Sequence, residues 1–320
     1  MVVTSKQCVY NSITPMTWFF IALIAPLLWS VVNHVDKYLL SRHSFSSSVG
    51  SLMIFSTFAG IIIVAVAPFL GIPLLLPFKQ ILILILAGTI IAISIMLYLY
   101  ALETDETSTV VPFMQLVPVF AYFFGYFFLN EIITRQETIA STIIVLGAAI
   151  LAFEFNEENG FRIRKKVVLL MSFHSLLYAL YETMFKTVAI NAGFITSTFW
   201  EHVGLVIFGL ILYIFFKKFR DDFHRIISNK DKKIKIFSIN IGSEILTLIG
   251  NMVTNYALLL APLALVMVVS GYQPVFAFAI GVLLTLFWPK IAKEKLTLKH
   301  LIHKISAILI ILTGSYMLFY

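Results

Sequence analysis

The sequence predicts an all-α integral membrane protein: ten transmembrane helices as two inverted five-helix repeats around a central cavity. Three observations predict this. The chain of 320 residues is 60% hydrophobic and 12% charged, against roughly half and roughly a quarter in soluble domains, and its mean hydropathy is +0.97. Ten apolar stretches approach the ~20 residues that a helix needs to cross a bilayer core. Short motifs recur at a fixed offset in the two halves. Composition also excludes several classes. The 23 Lys+Arg and 16 Asp+Glu cannot cover a soluble enzyme of this size. The net charge of +7, on so hydrophobic a chain, points to an anionic lipid surface rather than to nucleic acid. The single cysteine, Cys8, excludes an internal disulfide and a Cys-rich metal site.

In chain order the first span is Trp18–Leu40. It has no A-x-A cleavage site and ends in Asn33, His34, Asp36 and Lys37, so it reads as a span rather than a signal peptide. Val49–Leu70 and Ile81–Leu102 follow. The fourth span, Val110–Leu129, holds Pro118 with Gln115 beside it, and the fifth is Thr138–Phe155. The polar stretch Asn156–Lys166 (NEENGFRIRKK) divides the chain almost in half and separates a first repeat, residues 1–158, from a second, residues 159–320. Spans six and seven are Val167–Ile190 and Ile195–Phe216. The connection Lys217–Lys235 carries eight basic and three acidic residues. Within it Phe219, Phe223, Ile226 and Ile227 fall at i, i+4, i+7 and i+8. That spacing reads either as an interfacial amphipathic helix on anionic lipid or as a solvated loop. The last spans are Ile236–Leu260, Leu263–Trp288 and Leu301–Tyr320.

A shift of 156 lays Tyr100–Leu102 on Tyr256–Leu258, and PVFAYFFG (Pro118–Gly125) on PVFAFAIG (Pro274–Gly281). A shift of 149 lays Leu27, Leu28 and Lys37 on Leu176, Leu177 and Lys186. Five spans per half is odd, so the second half enters the membrane from the opposite side and the repeat is inverted. Ala121/Gly125 and Ala277/Gly281 are small-xxx-small pairs that allow close helix approach, within the monomer or, alternatively, in a homodimer. Lys6, Lys79, Arg135 and Lys186 fall on the side of the termini, leaving 19 of the 23 basic residues (23 − 4) opposite. The positive-inside rule then places both termini outside.

Polar groups inside lipid are costly and are functional candidates by default. Asn240, Glu244, Thr247, Asn251 and Asn255 recur at intervals of three and four along span eight. His174, Tyr178, Tyr181, Glu182 and Lys186 share a face of span six, and Trp29, Asn33, Asp36 and Lys37 repeat the spacing in span one. Three such stripes predict a shared water-accessible cavity. Asn33, Tyr178, Glu182, Asn251 and Asn255 are the substrate-binding candidates. Gln115 and Gln273 join them, beside the repeat-related prolines where a kink frees backbone carbonyls. Glu244, with Lys235 roughly 13 Å away along its own helix, is the first candidate for proton coupling; His174 and Glu201 are the others. A protonatable carboxyl beside a cavity is what such coupling requires. The bland alternatives are a Glu182–Lys186 i, i+4 pair, snorkelling lysines, a packing role for His174, and interface filling by Trp29, Tyr178 and Tyr181.

No P-loop, H-E-x-x-H or G-x-S-x-G motif occurs, so neither an ATP-driven pump nor an enzyme is expected, and no cofactor or metal is implied. The ten spans in two inverted halves resemble the EamA family of the drug/metabolite transporter superfamily. Residues carrying the resemblance are Trp29, Asn33 and Lys37, the fourth-span prolines followed by Gly125, the turn Asn130–Thr134 with Glu131, Gly147 and Gly314. The resemblance implies four helices of each half around a cavity, the fifth outside, and alternating-access transport of a small metabolite in a bacterial inner membrane. Two features depart from it. The family usually has cytoplasmic termini, and Phe287-Trp288-Pro289-Lys290 stands where the acidic turn would recur. The expected function is a secondary transporter of a small polar or amphiphilic metabolite. A flippase for a lipid-linked metabolite and a non-transporting membrane receptor are the alternatives, distinguished by activity on amphiphiles and by binding without flux.

Overall fold

The structure, a computed structural model, describes residues 16–41, 49–104, 110–152, 165–228, 233–287 and 297–320. Cys8, most of the 156–166 connection, the 288–290 turn and the side chains of Asp36, Lys37, Ile226 and Ile227 lie outside what is described. The described chain is helical, as lipid demands: with no water to pair backbone N–H and C=O groups, a span must satisfy them internally.

The helices are α1 (Thr17–Ser41), α2 (Val49–Val66), α3 (Phe78–Thr104), α4 (Leu116–Leu129), α5 (Arg135–Ala152), α6 (Lys165–Ala192), α7 (Phe194–Phe215), α8 (Lys217–Ser228), α9 (Lys233–Leu258), α10 (Leu263–Val269), α11 (Gln273–Phe287) and α12 (Leu298–Phe319). Seven segments among the described residues are long and apolar enough to cross a membrane: Thr17–Val35, Val49–Leu70, Phe78–Thr104, Lys165–Ala192, Phe194–Phe215, Leu263–Phe287 and Leu298–Phe319. Phe113–Leu129 is apolar but shorter. The α5 and α9 helices are not among the seven. Arg135 and Glu137 open the first, and the Asn240–Asn255 stripe runs along the second.

Local chemistry sets the boundaries. A short 3-10 turn at Ala67–Leu70 carrying Pro68 ends in Gly71 at φ 68°, a left-handed conformation that glycine adopts at little cost. The α4 helix closes on Asn130 at φ 54°, and the Glu131 N–H just beyond it donates to the Gly125 carbonyl at 3.0 Å. The start of α5 is a reciprocal capping box: Thr134 N–H donates to Glu137 Oε2 at 2.6 Å and Glu137 N–H to Thr134 Oγ1 at 3.2 Å.

One expectation is corrected here, the Glu182–Lys186 pair, and two others gain detail. Neither fourth-position span is continuous. A 3-10 turn at Val111–Gln115 precedes α4, and another at Ser270–Tyr272 separates α10 from α11. Pro118 and Pro274 sit just beyond these breaks, because a proline lacks the N–H and crowds the carbonyl four residues back. The connection after span seven is helical as α8, and Phe219 and Phe223, the two apolar residues of the stripe whose side chains are described, pack on α2. Phe219 is buried against Gly50, and the Phe223 ring lies 5.1 Å from that of Phe55. Lys217, Lys218 and Arg225 remain exposed. Finally, Lys186 pairs with Glu131 at 2.5 Å rather than with Glu182.

The main packing pairs are α3 with α6 and α9 with α1; α4 with α6 and α11 with α1; α3 with α7 and α9 with α2; α2 with α7; and α5 with α12. Small residues make the closest of these possible. A Cβ on Gly88 would collide with the Glu201 carbonyl oxygen, and one on Gly204 with the Ile85 carbonyl. The same holds between α5 and α12, where Gly147 meets Ile311 and Gly314 meets Ile144. Gly125 faces Glu131 and Leu263 of the same chain.

Candidate functional site

The α9 stripe is turned inward. Its members recur every three or four residues, so they share one helix face, and the flanking isoleucines Ile241, Ile245 and Ile249 take the exposed side. Ser243, Glu244, Thr247 and Asn251 form one wall of a cavity of about 200 Å³. Trp29 and Asn33 of α1, Ser56 of α2, Tyr98 of α3, Gln115 before α4, His174 and Tyr178 of α6, Glu201 and His202 of α7, Ser270 after α10 and Gln273 of α11 complete its polar and aromatic lining. Both halves of the chain contribute.

Eight of the ten candidate residues therefore line one cavity: Asn33, Gln115, His174, Tyr178, Glu201, Glu244, Asn251 and Gln273. Glu182 and Asn255 do not line it. Asn255 stands behind the wall at Glu201: its Nδ2 donates to Glu201 Oε2 at 3.1 Å and to the Tyr181 hydroxyl at 2.9 Å. That hydroxyl donates to Glu201 Oε1 at 2.9 Å. Glu182 is 1% exposed and Glu201 3%, so both side chains are buried inside the bundle.

Glu244 has a partner from the other half of the chain. Ser56 Oγ donates to Glu244 Oε1 at 2.6 Å, tying α2 to α9. Ser56 carries no signal in the sequence, because a lone hydroxyl in an apolar helix usually bonds its own backbone. His174 is a held side chain. Its Nδ1 donates to the Ser94 carbonyl at 3.0 Å, and Ser94 Oγ donates back to the His174 carbonyl at 3.0 Å. Its ring sits between those of Tyr98 and Tyr178, 5.7 and 6.0 Å away. His202 Nδ1 donates to the Thr198 carbonyl at 2.8 Å and lies 3.9 Å from Glu201 Oε2. Trp29 lines the cavity and also packs its indole on Gly250.

The breaks before Pro118 and Pro274 do leave carbonyls for side chains. Ser30 Oγ of α1 donates to the Gln273 carbonyl at 2.9 Å, and Ser175 Oγ of α6 to the Phe113 carbonyl at 3.0 Å. A Cβ on Gly271 would lie 3.3 Å from Gln115 Oε1, so the two broken segments face each other across the cavity. Among the described residues no three of His, Cys, Asp and Glu gather closely enough to hold a metal ion.

No match is found among curated proteins. One protein of known crystal structure is similar over 96% of this chain and 98% of its own, with a TM-score of 0.68 and 14% sequence identity; at that identity the likeness is one of fold. The "EamA-like transporter family" matches residues 16–153. That match covers the helices carrying Trp29, Asn33, Ser56 and Gln115 of the cavity. The chain is thus a multi-pass membrane protein whose residues 16–153 match the EamA-like transporter family, which lies within the drug/metabolite transporter superfamily.

Proposed function

We propose that the chain is a secondary active transporter that moves a small polar or amphiphilic metabolite by alternating access, with Glu244 exchanging a proton as the cavity changes sides. The observation that carries this reading is the cavity itself. Carboxyls, amides and aromatic rings from both halves converge inside a bundle that is otherwise apolar. Such groups are costly in lipid and are kept where they face a water-filled path.

The reading includes ten spans in two inverted halves, 1–158 and 159–320. Pairing α1 with α6, α2 with α7, α3 with α9, α4 with α10–α11 and α5 with α12 supports it. Exchanging the halves turns the α3–α6 contact into α9–α1, α4–α6 into α11–α1, and α3–α7 into α9–α2. The α2–α7 and α5–α12 contacts map onto themselves. Each half's first helix also donates a serine hydroxyl to the broken fourth segment of the other half. Two such halves can rock about a shared site. In this reading, which the basic bias supports, the termini lie outside a bacterial inner membrane and the exposed Lys217, Lys218 and Arg225 of α8 lie against anionic lipid.

The test begins with a thermal-shift screen of the purified protein against metabolites at two pH values, since a ligand of the native state raises apparent stability. Uptake of the hit into proteoliposomes under an imposed pH gradient follows. Glu244→Gln is expected to abolish gradient-driven uptake and to retain binding; unchanged driven uptake overturns the assignment to Glu244.

A further inference from the structure

We propose that Glu182 and Glu201 form a second proton-binding site, separate from Glu244, which takes its proton from the cavity through Glu201. Its link to transport rests on the reading of the cavity as a transport site; proton binding itself does not. Glu182 of α6 and Glu201 of α7 are both buried, and Glu182 feels the Glu201 charge. Taking an ionised carboxylate out of water costs far more than taking out a neutral acid, and two carboxylates sharing one site do not both ionise. The Tyr178 hydroxyl, one turn back on α6, bonds the Glu182 carboxyl. Glu182 Oε2 is buried with no hydrogen-bond partner. One proton on the pair removes the charge that this oxygen leaves uncompensated.

The groups packed around the pair leave one acid in excess. On α6, Lys186 is held by Glu131 and the Ala261 carbonyl, both at 2.5 Å, and His174 Nδ1 donates to the Ser94 carbonyl. On α7, His202 lies 3.9 Å from Glu201 Oε2 while its Nδ1 donates to the Thr198 carbonyl. Even a charged His202 offsets one carboxylate of the two. The α2 helix has no titratable residue, and α3 has none between Lys79 and Tyr98. Tyr122 and Tyr126 of α4 and Tyr256 of α9 are exposed. The α9 helix turns Asn255 to Glu201, with Glu244 roughly 17 Å away along the same helix. Every hydrogen bond and charge contact of the two carboxyls is with a described residue, so the side chains of Asp36 and Lys37 do not enter the count.

The hydrogen bonds of Glu201 suit both of its protonation states. It lines the cavity, and its Oε1 accepts from the Tyr181 hydroxyl at 2.9 Å. The same hydroxyl lies 3.3 Å from Asn255 Oδ1, so its single hydrogen has two acceptors. With Glu201 ionised, that hydrogen points to Glu201. With Glu201 protonated, the acid O–H donates to the Tyr181 oxygen, and the tyrosine hydrogen turns to Asn255. A hydronium in the cavity gives one proton to a Glu201 oxygen, forms the O–H bond and leaves as water; release reverses the step. The bound proton then belongs to the pair rather than to either residue.

The experiment is infrared spectroscopy of the full-length protein in detergent near neutral pH, in H2O and in D2O. It reads the carbonyl stretch of protonated carboxyls, since exposed carboxyls are ionised there. Wild type is expected to show this band, displaced in D2O because the proton exchanges with water. Glu244→Gln should keep it. Glu182→Gln should lose it whichever carboxyl carries the proton, because Glu201 beside a neutral amide is free to ionise. No exchangeable band in Glu244→Gln, or a band that Glu182→Gln leaves at full height, overturns the proposal. Should Glu182→Gln not fold, Tyr181→Phe takes its place: the band is expected to move once the hydroxyl that meets Glu201 is gone, and an unmoved band overturns the proposal. The transport reading fails separately. Bands as expected in a protein that moves no metabolite under a pH gradient reject transport and keep the proton site. Gradient-driven uptake by wild type with no exchangeable band in Glu244→Gln does the reverse.

Discussion

Replacing Glu131 by glutamine should cost more than almost any other single substitution in this protein. Lys186 is 1% exposed, and its ammonium lies 2.5 Å from Glu131 Oε1 and 2.5 Å from the Ala261 carbonyl. The other carboxylate oxygen accepts from the Leu263 N–H at 2.7 Å. One carboxylate thus ties α6, the α4–α5 turn and the start of α10 together at one end of the bundle. Glu131→Gln keeps an acceptor for Leu263 and removes the charge, leaving a buried ammonium facing one carbonyl. Breaking a buried pair from one side costs about 3–5 kcal/mol. Lys186→Met should cost less, about 1–3 kcal/mol, because Glu131 is 15% exposed and water can reach part of it. The double variant should fall short of the sum by about 1–3 kcal/mol. The assay is SDS titration in mixed micelles, followed by tryptophan fluorescence. A Glu131→Gln protein within about 0.5 kcal/mol of wild type, the range of surface substitutions, would refute the reasoning.

Two further predictions concern packing and the Glu201 network. Gly88→Ala puts a Cβ onto the Glu201 carbonyl and the Leu205 amide, backbone atoms that cannot yield. It should destabilise by about 3 kcal/mol or more in the same titration, while Gly242→Ala, where nothing lies within 4 Å, should stabilise by about 0.5–1 kcal/mol. Tyr181→Phe removes the 2.9 Å donor to Glu201 Oε1. It should destabilise by about 1–3 kcal/mol and weaken ligand binding in the thermal-shift assay, whereas binding that is indifferent to it would detach Glu201 from the site.

The parts of the site legible in the sequence are those carried by local period. Glu244, Asn251 and their neighbours announce an inward face because 3.6-residue periodicity survives in a single helix, and eight of ten candidates line the cavity. What periodicity cannot show is partnership across the fold. The spacing rule offers Glu182 to Lys186, yet the partner is Glu131, held near by the left-handed turn at Asn130. Ser56 meets Glu244 from a helix with no polar stripe at all. The prolines mark where the fourth segments bend, but the 3-10 turns before them depend on tertiary contacts such as Ser30 with Gln273. The α8 spacing is legible as amphipathic, while the contact of Phe219 and Phe223 with α2 is not.

The central claim is that one cavity opens to each side of the membrane in turn. A single cysteine at Asn251, in a chain carrying Cys8→Ser, tests it most directly. In sealed vesicles of known orientation, a membrane-impermeant thiol reagent is applied to one face at a time. The account predicts modification from both faces, with ligand or pH changing the ratio of the two rates. Modification from one face alone, under every ligand and pH tried, would contradict it.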